Sequence, residues 1–495
     1  MEKRFTEKVS DRLPLLSLAM FMTACGGAPT PAPAPTPVPI PSNPVPAITS
    51  ISPTGATAGG ATFTLTVSGT GFISTSVVRW NGNDRPTAFQ DSTHMTAQIP
   101  ASDIATVAAA SVAVFNPVPG GGTSSAIPFA IIATVGGFNP AGSMSVPRRN
   151  HTATLLPNGE VLVAGGVSLV CCDPVPVSEI FDPKTNQFRN TGSMSAPRYA
   201  HTATLLPDGR VLLAGGFAPP GPNLAVQALS SAELYDPATG TFTPTGSMVD
   251  ARSAHTGTLL PNGKVLVTGG RQNESFNVLQ RAEIYDPATG GFTLTGNMTE
   301  RRASHTAVLL KDGRVLVGGG FGDRCDPDGC DSSASAEIFD PASGTFTSTG
   351  SMANARDSHS ATLLSDGRVL AAGGEVQALG LGAVGSHASV EAFDPATGIF
   401  SSPAARMTTS RFAHIAILLP NGQVLLAGGT NCFSDMADCH ASILSSAELF
   451  DPASPTFFVT GNMVKKRSGH QATLLLDGRV LITGGSDDNS AELYE

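Results

Sequence analysis

The sequence predicts an all-β chain: a seven-bladed β-propeller preceded by a small β-sandwich. Three observations carry that prediction. A unit of about 53 residues recurs seven times between residue 136 and the end of the 495-residue chain. Each copy holds an Asn-Gly or Asp-Gly pair between short apolar runs, the strongest local signal for a tight hairpin. Gly (54) and Pro (38) are abundant while charged residues make up 14%, so the long charged runs that build surface helices are missing. The formal net charge of −10 argues against nucleic acid and against anionic lipid surfaces as partners.

Residues 1–24 are expected to be a signal peptide. Lys3, Arg4, Lys8 and Arg12, diluted by Glu2, Glu7 and Asp11, precede the apolar run Leu13–Met22. That run is too short to span a bilayer but suits a signal h-region. The stretch Met22-Thr23-Ala24-Cys25-Gly26 resembles the bacterial lipobox. The resemblance implies cleavage before Cys25, acylation of Cys25, and several acyl chains for stable anchoring. Gly26 after the cysteine resembles the outer-membrane sorting rule of Gram-negative lipoproteins. Residues 25–47 form the expected linker. Nine prolines fall between Pro29 and Pro46, so the segment favours extended polyproline II and reaches about 55 Å at ~3.1 Å per residue.

Residues 48–132 read as the sandwich. Thr62 to Val67 alternates polar and apolar with period two, as a half-buried strand does, and Ser111 to Phe115 is a second strand closed by Asn116-Pro117 and three glycines. The stretches ISPTGATAGG (51–60), VSGTGF (67–72), VVRWNG (77–82) and NPVPGGGTS (116–124) resemble the IPT/TIG family. The resemblance implies an Ig-like fold used as a spacer or interaction module. Trp80 is expected in its core and His94 on its surface.

Residues 136–495 hold the repeat. An arginine precedes a histidine by three positions in every unit: Arg148/His151, Arg198/His201, Arg252/His255, Arg302/His305, Arg356/His359, Arg411/His414 and Arg467/His470. A methionine sits four residues before each arginine. After each histidine come an apolar run, the Asn-Gly or Asp-Gly turn, and a return strand ending in Gly-Gly. A variable loop follows, then a glutamate that opens a third strand: Glu179, Glu233, Glu283, Glu337, Glu391, Glu448 and Glu492. A fourth strand starts near a phenylalanine. Four antiparallel strands per unit, seven times, make a propeller. The Gly-Gly and the Glu-x-[Tyr/Phe]-Asp-Pro pattern resemble the kelch family, in variants akin to the central domain of galactose oxidase. The last unit stops after its third strand, and residues 137–144 match a fourth, so they are expected to close the ring and remove its open edge.

Residues repeated in every unit answer a need that every unit has. The arginines and glutamates are expected to pair at the strand ends, because an unpaired buried charge costs several kcal/mol. The histidines are expected to satisfy neighbouring polar groups. No catalytic set is assigned. The galactose-oxidase resemblance implies a copper-radical site of two tyrosines, two histidines and a cysteine. Tyr235, Tyr285 and Tyr494 occupy a repeated aromatic position, Tyr199 alone departs from the pattern, and the non-repeat histidines are His94, His387 and His440. No convincing ligand set emerges from these residues. Unit-specific function is expected in the loops after Gly-Gly. Six cysteines lie there, with Cys325–Cys330 and Cys432–Cys439 the favoured disulfides and Cys171–Cys172 a vicinal pair that is either bridged or free. In the loop DRCDPDGCD, Asp323, Asp326, Asp328 and Asp331 read either as a solvated acidic turn or as a weak Ca²⁺ site; no other cofactor is expected.

The functional expectation is a monomeric, lipid-anchored, non-catalytic binding protein of the outer membrane, cell surface or periplasm. Its partner would be a glycan, a protein or another envelope component. A carbohydrate-active propeller enzyme and a structural spacer of the envelope are the alternatives.

Overall fold

The computed structural model describes residues 42–58, 62–106, 108–132, 136–168, 174–218, 226–273, 277–326, 329–377, 384–403, 405–434 and 439–495. The expected signal peptide, Cys25 and the linker up to residue 41 lie outside the described residues. So do Cys171, Cys172 and Asp328, and the side chains of Asp323, Asp326 and Cys439. Among the described residues there is no α-helix; one 3-10 turn, Ala101–Ile104, is the sole helical element.

The first folded part is a sandwich of two sheets. One runs Ala47–Ser52, Phe63–Thr70, His94–Ile99, Thr87–Phe89; the other runs Gly55–Thr57, Ile127–Ile132, Ala108–Asn116, Val77–Trp80, Asn83–Asp84, with Gly122–Thr123 beside Ala108–Asn116. The period-two pattern decides which side chains enter: Leu65 and Val67 are fully buried while Thr64 between the sheets' faces points out to solvent. Trp80 packs in the core with its ring centre 4.8 Å from that of Phe129. His94 is exposed. The sandwich takes in a few residues that read from sequence as linker. The buried Asn116 amide donates to the carbonyls of Pro44 and Gly71, and Asn43 bridges to Gly120, so the chain is tied down from residue 43.

Seven four-stranded antiparallel sheets follow. The first contains Thr152–Leu155, Val161–Ala164, Val177–Asp182 and Gln187–Ser193, in that spatial order. Its second strand is buried at every position, because both of its faces lie against apolar groups. That explains a continuous apolar run where a one-sided strand would alternate. Across the third and fourth strands of each sheet stands an aromatic pair, as with Phe181 and Phe188 at 4.9 Å. Apolar side chains of adjacent sheets interlock between them: Leu162, Ile180 and Met194, for example, join Val211, Leu213 and Tyr235.

The sheets are arranged as propeller blades around a closed ring. Each innermost strand neighbours the next, and the innermost strand of the last sheet, Gln471–Leu474, neighbours Thr152–Leu155 of the first. The last sheet is completed from the other end of the repeat region. Phe138–Pro140 pairs antiparallel with Ala491–Tyr494, placing Phe138 opposite Tyr494 as that blade's aromatic pair.

Candidate functional site

The repeated polar residues meet at the end of each blade where Gly-Gly stands. Every arginine contacts the glutamate of its own unit: Arg148–Glu179 2.6 Å, Arg198–Glu233 3.0 Å, Arg252–Glu283 2.5 Å, Arg302–Glu337 3.0 Å, Arg356–Glu391 2.6 Å, Arg411–Glu448 2.9 Å and Arg467–Glu492 2.9 Å. All seven guanidiniums are fully buried. Arg252 Nη1 also donates to the carbonyls of Gly269 and Arg281, while Glu283 accepts from the backbone N–H groups of Val249 and Asp250. The pair thus ties the segment entering a blade to that blade's second and third strands. Burial pulls the Arg252 guanidinium below its usual pKa, and the Glu283 carboxylate pushes it back up.

The same arginine reaches the neighbouring blade through its backbone. The second glycine of each Gly-Gly donates to the arginine carbonyl of the next unit, from Gly166 to Arg198 through Gly485 to Arg148, at 2.7–2.9 Å. The glycines are required by that approach. At Gly165 (φ +67°) a Cβ would lie 2.5 Å from the Arg198 carbonyl oxygen and 2.7 Å from the His201 ring. Such a contact, added to the positive φ, leaves room for glycine alone.

The histidines are buried and bridge blades. Their Nε2 atoms bond hydroxyls of the preceding unit: Thr152 to His201, Thr202 to His255, Thr256 to His305, Thr306 to His359, Ser360 to His414, and Thr483 to His151, all within 3.1 Å. Ile415 stands where the sixth hydroxyl would be, and His470 makes no such bond. Burial keeps the rings neutral, holding His201, His305, His359 and His470 at about 3. One residue before each histidine, a backbone ring circles the axis. Asn150, Ala200, Ala254, Ser304, Ser358, Ala413 and Gly469 each donate to the carbonyl of their counterpart in the preceding unit, at 2.9–3.2 Å, with Asn150 closing on Gly469. All seven have φ between 48° and 63°, a strained conformation for the six that carry a side chain.

What differs from blade to blade lies just above this ring. In six units the residue after the arginine bridges to the residue after Gly-Gly: Arg149 to Val167, Tyr199 to Phe217, Ser253 to Arg271, Ala303 to Phe321, Asp357 to Glu375 and Phe412 to Thr430. Tyr199 stacks on Phe217 at 5.4 Å, and Arg271 of the next blade covers Phe217 at 5.1 Å. Three loops rise from here as hairpins: Phe321–Asp326 with Gly329–Ser332, Glu375–Gln377 with Val384–Ser386, and Thr430–Ser434 with Cys439–Ile443. Cys325 and Cys330 form a disulfide at the tip of the first. Cys432 is also disulfide-bonded, its partner falling outside the described side chains. Asp331 is half-buried on the return strand of the first hairpin. Among the described residues no group of three His, Cys, Asp or Glu side chains is placed to hold a metal ion.

Sequence reading passed over one acidic pair in this region. Asp357 and Glu375 face each other across their bridge, their backbones exchanging hydrogen bonds of 3.0 and 2.9 Å. Asp357 is buried and accepts from the Ser332 and Ser358 hydroxyls. Burial first, and Asp357 second, push the Glu375 carboxyl up to about 7; burial also raises Asp357. The signal was available: Asp357 occupies the variable position after a repeated arginine, and Glu375 directly follows Gly-Gly. What was missing is that those two positions are partners.

Residues 46–131 match the IPT/TIG domain. This segment is an IPT/TIG domain. Comparison with curated proteins found no match. A solved fungal alcohol oxidase of the AA5 family, in complex with copper, is similar at 18% identity and a TM-score of 0.56, covering 73% of this chain and 76% of its own. The structure of YjhT is similar at 14% identity and a TM-score of 0.49, covering 64% of this chain and 99% of its own. The oxidase likeness shows the propeller fold alone. Among the described residues, the tyrosines and the repeat histidines do not fit a copper-radical centre. Tyr235, Tyr285 and Tyr494 spend their hydroxyls on Thr191, Thr245 and Thr460 of neighbouring blades, and Tyr199 lies against Phe217. The seven repeat histidines are sealed between blades.

Two outcomes follow from these contacts. Arg252→Met and Glu283→Gln are each expected to cost about 3–5 kcal/mol, and the double variant clearly less than their sum; full additivity in urea unfolding would remove the pairing from the account. Folded Glu375 keeps its proton to about pH 7, whereas an unfolded glutamate releases it near 4.5. The folded state therefore holds the extra proton in that window, and this group's contribution to stability falls as pH rises through it. Thermal midpoints of wild type and Glu375→Gln should diverge between pH 4.5 and 7, with the wild type losing ground as pH rises; parallel curves would show that Glu375 titrates normally.

Proposed function

We propose that the protein is a non-catalytic, surface-anchored binding protein whose propeller loops hold a glycan, a protein or another component of the cell envelope. One observation supports this most directly. The polar residues shared by all units are consumed in joining strands and blades, whereas the unit-specific residues gather at one end of the ring. A rigid scaffold that displays variable loops from one face is suited to recognition. The IPT/TIG domain and the proline-rich segment before it would raise that face from a membrane to which acylated Cys25 holds the chain. The net charge of −10 disfavours nucleic acid as the partner.

The loop end is tested by presenting the purified full chain to a glycan array and to envelope extract. Tyr199→Ala and Phe412→Ala should abolish capture of whatever the wild type retains. Arg368→Ala, in a turn at the opposite end, should leave capture intact. Equal capture by all three variants would exclude the loops as the binding surface. The anchor is tested by acyl labelling in cells, where Cys25→Ala must lose the label that the wild type carries.

A further inference from the structure

A cleft of about 590 Å³ opens between the fifth and sixth blades at the loop end. Its twelve lining residues include one arginine, one histidine, two asparagines and six serines and threonines, and no Asp or Glu. That is unusual in a chain with 39 acidic and 29 basic residues. Arg406 is exposed and makes no ion pair among the described residues, while its backbone is fixed by a bridge to Ser389.

A network of hydroxyl and amide groups lines the same cleft. Ser410 Oγ accepts from Ser386 Oγ at 2.8 Å and from Asn431 Nδ2 at 3.1 Å. Asn431 is buried and donates also to the Ser410 carbonyl, and Ser386 Oγ accepts from the Cys432 backbone N–H at 3.0 Å. A hydroxyl has two acceptor sites and one proton. When Ser386 donates to Ser410, the Ser410 O–H proton is left for a ligand; the Ser386 proton has the Cys432 carbonyl at 3.2 Å as its other acceptor. Arg406 lines the same cleft, which therefore offers a cation and hydroxyl donors to an anionic oxygen.

His387 supplies an acceptor. His387 Nε2 meets the Ala355 carbonyl at 3.1 Å, and a carbonyl only accepts, so the proton sits on Nε2. Burial, with Arg356 nearby, lowers the pKa of this ring. It is therefore neutral at pH 7 and leaves Nδ1 as an acceptor. The cleft lining thus combines a cation, hydroxyl groups and a neutral imidazole.

We propose that this cleft binds the acidic unit of a glycan, a hexuronate, with its carboxylate on Arg406 and the Ser410 hydroxyl and its ring hydroxyls along His387 and Thr408. The volume accommodates a mono- or disaccharide. The proposal rests on the loop-end binding function and names the ligand class for it.

The test is calorimetric titration of the full chain with a trigalacturonate, with the matching neutral galactose trimer, and with inorganic phosphate. Trigalacturonate should bind at least tenfold more tightly than either of the others. Arg406→Gln should weaken it 10- to 100-fold and Ser410→Ala about tenfold, with thermal midpoints unchanged for the exposed Arg406. Equal binding of the neutral trimer, equal binding of phosphate, or full affinity in Arg406→Gln would each overturn the proposal. Array or extract capture that Tyr199→Ala abolishes and Arg406→Gln leaves intact would defeat the hexuronate assignment while the loop-end function stood.

Discussion

Seven buried guanidiniums hold this propeller together, and most of its sequence regularities trace to them. A charge taken out of water is tolerated when it is paired and hydrogen-bonded. Each arginine is met within its own blade by a glutamate and by two carbonyls, one of them from the first glycine of Gly-Gly. Its own carbonyl meanwhile accepts from the second glycine of the preceding blade. The side chain therefore organises one blade while the backbone of the same residue couples it to another. The glycines follow from that closeness, since a Cβ would collide with the carbonyl and with the histidine ring beside it. The methionine four residues earlier follows too, because its methyl packs on the same glycine.

This arrangement makes the ring cooperative. The Gly-to-Arg hydrogen bonds, the axial backbone ring and the apolar clusters between blades all run from unit to unit and return to their start. Phe138–Pro140 covers Ala491–Tyr494, which would otherwise be the outer edge of the last blade. The positive φ of the axial residues is repeated in all seven units, so it belongs to closure and not to any one blade's chemistry. With stability provided by shared residues, positions next to the ring are released to differ. They carry a stacked tyrosine in one blade, an acidic pair in another and hydroxyls around an arginine in a third.

The fold was legible because its signals repeat. Asn-Gly and Asp-Gly turns, Gly-Gly and the spacing from Arg to His each recur seven times, and every copy corroborates the others. The IPT/TIG segment was legible from its glycines and from the alternation of Thr62 to Val67. The loop end was legible only as a location. Asp357 and Glu375 lie 18 positions apart, and Ser386, Arg406 and Asn431 belong to three separate segments. Nothing in their spacing tells that a bridge and two neighbouring hairpins bring them together. Residues 43–47 illustrate the same limit: they read as proline-rich linker, yet the Asn116 amide, far along the chain, binds them to the sandwich.

The sequence by itself determined the number and order of the repeated units, the strand pattern within each, and which residues serve all of them. It could do so because hairpins and strand periodicity depend on neighbours a few residues away. Tertiary structure alone decided which variable residues become partners, that burial raises Glu375 and lowers His387, and that Arg406 shares a cleft with the Ser386 and Ser410 hydroxyls. Those properties arise from burial and from contacts between loops distant in the chain. They come into existence only once the ring has closed.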